Sequence, residues 1–130
     1  MLVKFAVIAG SASKDLGKRI ARRLKAPYVE AKTRIFPDGE SKITFGRIPK
    51  NSIILVVQST HPPVDTNLLQ ALSIISQARK VSSKIYAIIP YMGYARQDRQ
   101  FLSGEVVTMS IVARMLKSAG AKKIVAVDFV

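Results

Sequence analysis

The chain has 130 residues, of which 48% are hydrophobic, and a formal net charge of +13 at pH 7. This length suits one domain with a real core, and the composition excludes a disordered chain. The absence of cysteine excludes disulfides, thiolate metal sites and cysteine nucleophiles. No apolar stretch approaches the roughly 18 residues that a membrane span requires. We therefore expect a cytoplasmic protein without a membrane partner.

The chain opens with an apolar run, Val3–Ala9, which is typical of a central parallel strand rather than of a signal peptide. A helix should follow, with Ser13 as its N-cap and Asp15 near its positive end. Its apolar residues repeat at helical spacing and stop before Pro27: Leu16, Ile20 and Leu24.

The middle of the chain predicts a small β-hairpin followed by a buried strand. Residues 28–35 and 41–48 alternate as strands do, and they flank the tight turn Phe36–Glu40. Ile53–Val57 is a continuous apolar run, and the polar segment Gln58–Pro63 follows it directly.

The last part of the chain alternates helices and strands. Asn67–Lys80 and Val106–Ala119 have helical patterns, whereas 84–89 and 123–127 are strand-like, and Gly120 is a helix stop. The residues expected at or near the buried side of the first of these helices are Leu68, Leu69, Leu72, Ile74 and Ile75. Such alternation predicts an α/β fold with a mostly parallel sheet flanked by helices.

Residues 90–100, with sequence PYMGYARQDRQ, are more typical of a ligand-binding loop than of an ordinary turn. They follow a predicted strand, and ligands of α/β proteins bind at the carboxyl ends of the strands. The guanidinium groups of Arg96 and Arg99 could bind phosphates, and Gln97 could read a base or sugar edge. The alternative is the solvated start of a helix.

The turn Phe36–Glu40 combines an aromatic ring with the carboxylates of Asp38 and Glu40. In an extended backbone the three side chains would point to one side, where they could stack on a purine and accept hydrogen bonds from it or from its ribose. The alternative is an ordinary Pro-Asp-Gly hairpin turn.

Three further features carry weaker signals. His61 is the only histidine and precedes two prolines, which favours a rigid-loop role and excludes a clustered histidine zinc site. Residues 10–18 lack the spacing of a Gly-rich phosphate loop. The densest basic cluster lies on the first helix, where a solvated face is the simpler interpretation: Lys18, Arg19, Arg22, Arg23 and Lys25. A nucleic-acid partner is therefore not expected.

In combination, these tracts resemble the ribose-phosphate pyrophosphokinase family. The matching segments occur in order along the whole chain: 36–40, 58–60, 90–99, 104–105 (expected to open the late helix), 119–121 and 127–128. The resemblance implies a phosphoribosyltransferase-like (Rossmann-like) domain in a homo-oligomer. It also implies transfer of the β,γ-diphosphoryl group of ATP to the 1-hydroxyl of ribose 5-phosphate, with Mg²⁺.

The resemblance also implies which residues bind ATP, although it assigns no catalytic residue within this chain. Phe36, Asp38 and Glu40 would contact adenine or its ribose, typically in a neighbouring subunit's site. Arg96 and Gln97 would bind ATP, and Arg99 would bind its phosphates.

Two departures from the family pattern limit the expected activity. The family has a metal-binding histidine at the position of Val130, so no metal ligand is assigned here. Family members also have a second domain with the ribose 5-phosphate loop and a basic catalytic loop. We therefore expect residues 1–130 to be the N-terminal domain, inactive alone because the C-terminal domain is absent.

Two other functions remain open at this point. A non-catalytic regulatory or oligomerisation module of the same family is the main alternative, and the valine at position 130 favours it. A basic nucleic-acid binder is the other, and it would bind RNA or DNA with a steep salt dependence.

Overall fold

This computed structural model describes residues 3–128. They contain seven strands and three helices, joined by loops. In chain order they are β1 (Phe5–Ala9), α1 (Lys14–Leu24), β2 (Tyr28–Glu30), β3 (Lys32–Ile35), β4 (Ser41–Thr44), β5 (Ile53–Val57), α2 (Val64–Ala78), β6 (Ile85–Tyr91), α3 (Thr108–Ala119) and β7 (Ala121–Asp128). None of these helices has both the length and the apolar character needed to cross a membrane.

Five of the strands form one parallel sheet in the order β2-β1-β5-β6-β7. The order reverses between β1 and β5, where Ile8 pairs with Val56. In doubly wound sheets this switch point opens a crevice at the carboxyl ends of the strands. The other two strands form the antiparallel hairpin β3–β4. The predicted parallel sheet and small hairpin are both confirmed.

The core lies on both faces of this sheet because β1 and β5 are apolar on both sides. Ile8 and Val56 face one way and pack in a cluster with residues of α2 and α3. Val7 and Leu55 face the other way and pack against α1 through Ala21. Helices therefore cover both faces, as predicted.

The strand predicted over residues 28–35 is two strands in two different sheets. β2 ends at Glu30, and the amide of buried Ala31 donates to the carbonyl of Ala9 at 3.0 Å. β3 then leaves the main sheet and pairs with β4. Side-chain alternation did not reveal the break at Ala31, because two consecutive strands alternate with the same two-residue period as one long strand. The partner of β3 also ends early, at Thr44 rather than at residue 48.

Several helix predictions were wrong in detail. α2 begins at Val64 rather than Asn67, and α3 begins at Thr108 rather than Val106. Leu69, expected at or near the buried side of α2, is 58% exposed, because the helix face that contacts the sheet lies to one side of it. The face of α2 that contacts the sheet includes buried polar residues as well as apolar ones.

The contact between α1 and β1 depends on Gly17. A Cβ atom at this position would lie 2.5 Å from the Cβ of Ala9 and 3.3 Å from the ring of Tyr28. We predict that Gly17→Ala lowers the free energy of unfolding by about 1–3 kcal/mol, because the helix must move off the sheet. Urea denaturation measures this change.

Gly46→Ala is the matched control, because no atom lies within 4 Å of its added Cβ. Alanine has a higher helix propensity than glycine, which by itself would stabilise Gly17→Ala, so a loss of stability would come from the crowded contact. Equal stability of the two variants would contradict the prediction.

Candidate functional site

The carboxyl ends of β1, β5 and β6 meet at one edge of the sheet and bring three loops together. Backbone hydrogen bonds tie these ends to one another. The amide of Gly10 donates to the carbonyl of Val57 at 3.0 Å, and the amide of Gln58 donates to the carbonyl of Ile88 at 3.0 Å. A cleft of about 530 Å³ lies at this edge, lined by Ser11, Ser59 and Pro90 among others, and it is the crevice expected from the alternating elements.

Gln58 is the buried polar centre of this edge, with no solvent exposure. Its Oε1 accepts the backbone N–H of Ala12 at 3.0 Å, and its Nε2 donates to Oε1 of Gln70 at 3.2 Å. The hydroxyl of Ser11 donates to the same oxygen of Gln70 at 2.6 Å. A Cβ atom at Gly10 would overlap the Gln58 side chain, with its Cδ only 2.7 Å away. Gln58 thus holds the β1–α1 loop against α2.

Ser13 stands at the N-cap position of α1 but makes no side-chain hydrogen bond to the helix. The predicted N-cap position is confirmed, but the hydroxyl of Ser13 instead accepts the backbone N–H of Ser59 at 2.9 Å. Nδ1 of His61 lies 2.9 Å from the hydroxyl of Ser59, and the His61 carbonyl accepts Nδ2 of Asn67 at 2.8 Å. These contacts agree with a rigid-loop role for His61.

Thr60 joins the β5–α2 loop to the loop after β6. It is 1% exposed, and its hydroxyl donates to the carbonyl of Tyr91 at 3.0 Å while accepting the amide of Gly93 at 2.7 Å. The resemblance included Thr60 but gave it no role. Its function as a clamp depends on a partner 33 residues away in the chain.

Tyr94 follows with a left-handed backbone, φ 69°, which is uncommon for a residue other than glycine. Its phenol donates a hydrogen bond to Oδ1 of Asp65 at the start of α2. This hydrogen bond raises the pKa of the Tyr94 phenol, and burial and the carboxylate charge act in the same direction. The phenol therefore keeps its proton at neutral pH and remains a donor.

The residues predicted to bind phosphates lie just beyond Tyr94 in a turn. The helix-start alternative is wrong, because α3 begins only at Thr108. Arg96 and Gln97 are exposed and line one cleft of about 480 Å³. Arg99 lies beside this cleft, with its guanidinium 4.8 Å from the centroid of the Phe101 ring.

Glu105 stabilises the rest of this loop by accepting hydrogen bonds from residues 100–102. Its Oε1 accepts the backbone N–H groups of Phe101 and Leu102, and its carbonyl accepts Nε2 of Gln100. Gly104 has φ 90°, so residues 104–105 belong to the loop and do not open α3 as predicted.

Metal ligands do not converge within residues 3–128, where no group of three His, Asp or Glu side chains lies together. The carboxylates of Asp65 and Glu105 are already engaged with Tyr94 and with loop amides. Val130, at the position of the family histidine, lies outside the described residues.

The predicted purine-binding residues form the tip of the hairpin. The amide of Phe36 donates to the carbonyl of Glu40 at 2.8 Å, and the amide of Glu40 donates to Oδ1 of Asp38 at 3.0 Å. Gly39 has φ 95°, so the segment is a hairpin turn and not the extended backbone that the sequence argument assumed. Arg34 lies over the Phe36 ring at 5.1 Å from its centroid.

The structure does not bring the two predicted halves of the site together within one chain. Among residues 3–128, no hydrogen bond or salt bridge joins the tip 36–40 to the loop 96–99, and the cleft that Arg96 and Gln97 line does not include the tip. The hairpin contacts α2 instead, where Nε2 of Gln70 donates to the hydroxyl of Ser41 at 3.4 Å.

The electrostatics of the described region favour an anion. One salt bridge occurs between its side chains, from Lys14 to Glu30 at 3.6 Å, although the chain has 21 basic and eight acidic residues. Arg96 and Arg99 are not part of it. An excess of unpaired cations raises the local concentration of anionic ligands.

Fold and site together define a doubly wound α/β domain that presents arginines at the switch-point edge of its sheet. A family model described as the N-terminal domain of ribose phosphate pyrophosphokinase matches residues 5–120. The chain therefore belongs to this family, as the sequence motifs indicated.

Relatives and a solved structure agree with this assignment. Ribose-phosphate pyrophosphokinases of Chlorobaculum tepidum and Methanothermobacter thermautotrophicus are 38% and 42% identical to the chain over 123 residues, or 94% of its length. The crystal structure of phosphoribosylpyrophosphate synthetase from Mycobacterium smegmatis superposes with a TM-score of 0.87 over 97% of the chain, at 32% identity.

The chain spans only part of these proteins. It covers 38% and 43% of the two relatives and 43% of the Mycobacterium smegmatis chain. What the whole relatives do is therefore a matter of proposal for this chain.

The Thr60 clamp can be tested with an isosteric change. We predict that Thr60→Val destabilises the domain by about 1–3 kcal/mol, because the buried amide of Gly93 loses its acceptor. Chemical denaturation measures the loss. Thr44→Val, on the exposed side of β4, is the control and should change stability little. A Thr60→Val variant as stable as this control would show that the clamp is unimportant.

Proposed function

We propose that this domain is the ATP-binding half of a ribose-phosphate pyrophosphokinase. The complete reaction transfers the diphosphoryl group of ATP to ribose 5-phosphate, yielding phosphoribosyl pyrophosphate and AMP. Membership of the family supports this proposal. The single observation that carries it is the exposed loop 96–99, which presents two arginines from a firmly hydrogen-bonded edge of the sheet.

Phosphate binding is the role that we assign to Arg96 and Arg99. A guanidinium can pair two oxygens of a phosphate at once, and it remains charged at every physiological pH. Gln97 lies in the same cleft as Arg96 and has both a donor and an acceptor to offer the nucleotide.

The reaction demands little covalent chemistry from the protein. The 1-hydroxyl of ribose 5-phosphate attacks the β-phosphorus, the bond from that phosphorus to the α-phosphate oxygen breaks, and AMP leaves. Positioning and neutralisation of phosphate charge supply most of the catalysis in phosphoryl transfer. Mg²⁺ would come as part of the ATP complex, held by phosphate oxygens.

The hairpin tip would complete the site in a second copy of the chain. Phe36, Asp38 and Glu40 are assigned to adenine and its ribose by the family resemblance. Their separation from the loop 96–99 within one chain supports a site shared between subunits of a homo-oligomer. We place the protein in the cytoplasm, where both substrates are found.

A non-catalytic regulatory or oligomerisation module is the second candidate. It is favoured by the valine at position 130, where the family has a metal-binding histidine. A module of this kind would assemble with an active relative without binding ATP itself.

We predict that the chain binds ATP more tightly than AMP, and that Arg96→Ala or Arg99→Ala weakens ATP binding about tenfold or more. The reason is that each variant loses charge-assisted hydrogen bonds to phosphate. Isothermal titration calorimetry with Mg²⁺-ATP and with AMP measures both effects. Arg22→Ala, on the exposed face of α1, is the charge-matched control. Equal weakening by all three variants would indicate a nonspecific charge effect instead.

We also predict that the 130 residues alone produce no AMP from ATP, Mg²⁺ and ribose 5-phosphate. The reason is that the loop that binds the sugar phosphate in the family has no counterpart among these 130 residues. Chromatographic detection of AMP is the measurement. Robust AMP formation without another polypeptide would disprove the proposed division of the two substrates between two domains.

A further inference from the structure

A hydrogen bond joins Tyr94, which lines the same cleft as Arg96 and Gln97, to Asp65 at the start of α2. We infer that Tyr94 and Asp65 are a positioning pair that holds Arg96 and Gln97 in the geometry that captures ATP. This inference rests on the proposed function and assigns a positioning role to two residues that the proposed function leaves without one.

The backbone of Tyr94 closes the turn that carries the proposed ligand-binding side chains. Its carbonyl accepts the amide of Gln97 at 2.8 Å, so a change in the Tyr94 conformation would move Gln97 directly. The carbonyl of Gln97 in turn accepts the amide of Met109 at 3.0 Å, in the first turn of α3. The turn is thus fixed at Tyr94 on one side and at α3 on the other.

The left-handed backbone of Tyr94 needs support from outside the turn. Asp65 supplies it from the first turn of α2, because the phenol reaches across to its carboxylate. A carboxylate is stabilised at this end of a helix, so Asp65 offers its acceptor oxygen from a rigid element. The Tyr94 ring packs against the core cluster of α2 and α3, which gives the phenol a fixed direction.

Gly93, the residue before Tyr94, leaves no room for the turn to move towards α2. A Cβ atom at Gly93 would lie 2.5 Å from Cγ1 of Val64 and 2.9 Å from the carbonyl oxygen of Thr60. The backbone therefore already lies in close contact with the β5–α2 loop. Thr60 forms a hydrogen bond with Gly93, and Asp65 forms one with Tyr94. These contacts fix the backbone from which the exposed side chains of Arg96 and Gln97 project. Supporting contacts of this kind determine how precisely a binding site is formed.

The test compares ATP binding by Tyr94→Phe, Asp65→Ala and Asp65→Asn with that of the unsubstituted chain. We expect Tyr94→Phe and Asp65→Ala each to weaken ATP binding by about 5- to 20-fold, since small displacements of positioned groups have large effects. Asp65→Asn keeps an oxygen that accepts the phenol proton, so it should bind ATP within about threefold of the unsubstituted chain. The double variant Tyr94→Phe/Asp65→Ala should be no weaker than either single variant, as expected for one shared interaction.

Two further readouts separate positioning from simple loss of stability. Hydrogen exchange at the Gln97 amide, followed by NMR, should accelerate in Tyr94→Phe and Asp65→Ala but not in Asp65→Asn. Thermal unfolding should change little, because Asp65 is exposed. Tyr86→Phe is the matched control, since the Tyr86 hydroxyl makes no hydrogen bond within residues 3–128 and its ring lies against Lys123.

The possible results are distinct. Normal ATP binding by Tyr94→Phe, when the unsubstituted chain binds ATP, overturns the positioning pair and leaves the proposed function intact. Absence of ATP binding by the unsubstituted chain overturns the proposed function and this inference together. Weakening by Asp65→Asn equal to that by Asp65→Ala also overturns the inference, because it would mean that the charge matters and the hydrogen bond does not.

Discussion

The amide of Gln58 is the interaction on which the functional edge of this domain depends. It is fully buried at the end of a central strand, where an unsatisfied amide would cost about 1–3 kcal/mol. Its partners come from the β1–α1 loop and from α2, and no Cβ can be accommodated at Gly10 beside it. One polar side chain therefore determines how the first loop and the second helix sit against the sheet.

The same edge combines a rigid interior with an exposed, highly charged rim. Thr60 and Glu105 use their side chains to satisfy loop amides, so the loop after β6 is held without regular secondary structure. The arginines that it carries are exposed and lie outside the one salt bridge found among the described side chains. Fixed loops that leave their cations free suit the capture of a multiply charged phosphate ligand, since little order has to be created on binding.

Much of the fold could be predicted from the sequence because buried parallel strands have a simple signature. Ile53–Val57 was predicted to the residue, and the apolar face of α1 was recognised through Leu16 and Ile20. The break at Ala31 was missed, because strand alternation continues through a change of sheet. Leu69 was misplaced because the buried face of α2 includes Asn67 and Gln70, which a hydrophobic pattern does not count.

The sequence by itself determined the alternation of elements, the crevice at the ends of the strands, and the family through its motifs. Only the tertiary structure decided which polar groups meet. Gln58 pairs with Gln70, Thr60 with Gly93, and Tyr94 with Asp65, over separations of 12, 33 and 29 residues. Periodicity reports burial along one element, whereas hydrogen-bond partners depend on strand order and on how loops from different strands come together. That is why the arginines proposed to bind the ligand could be named from the sequence but the residues that hold their loop could not.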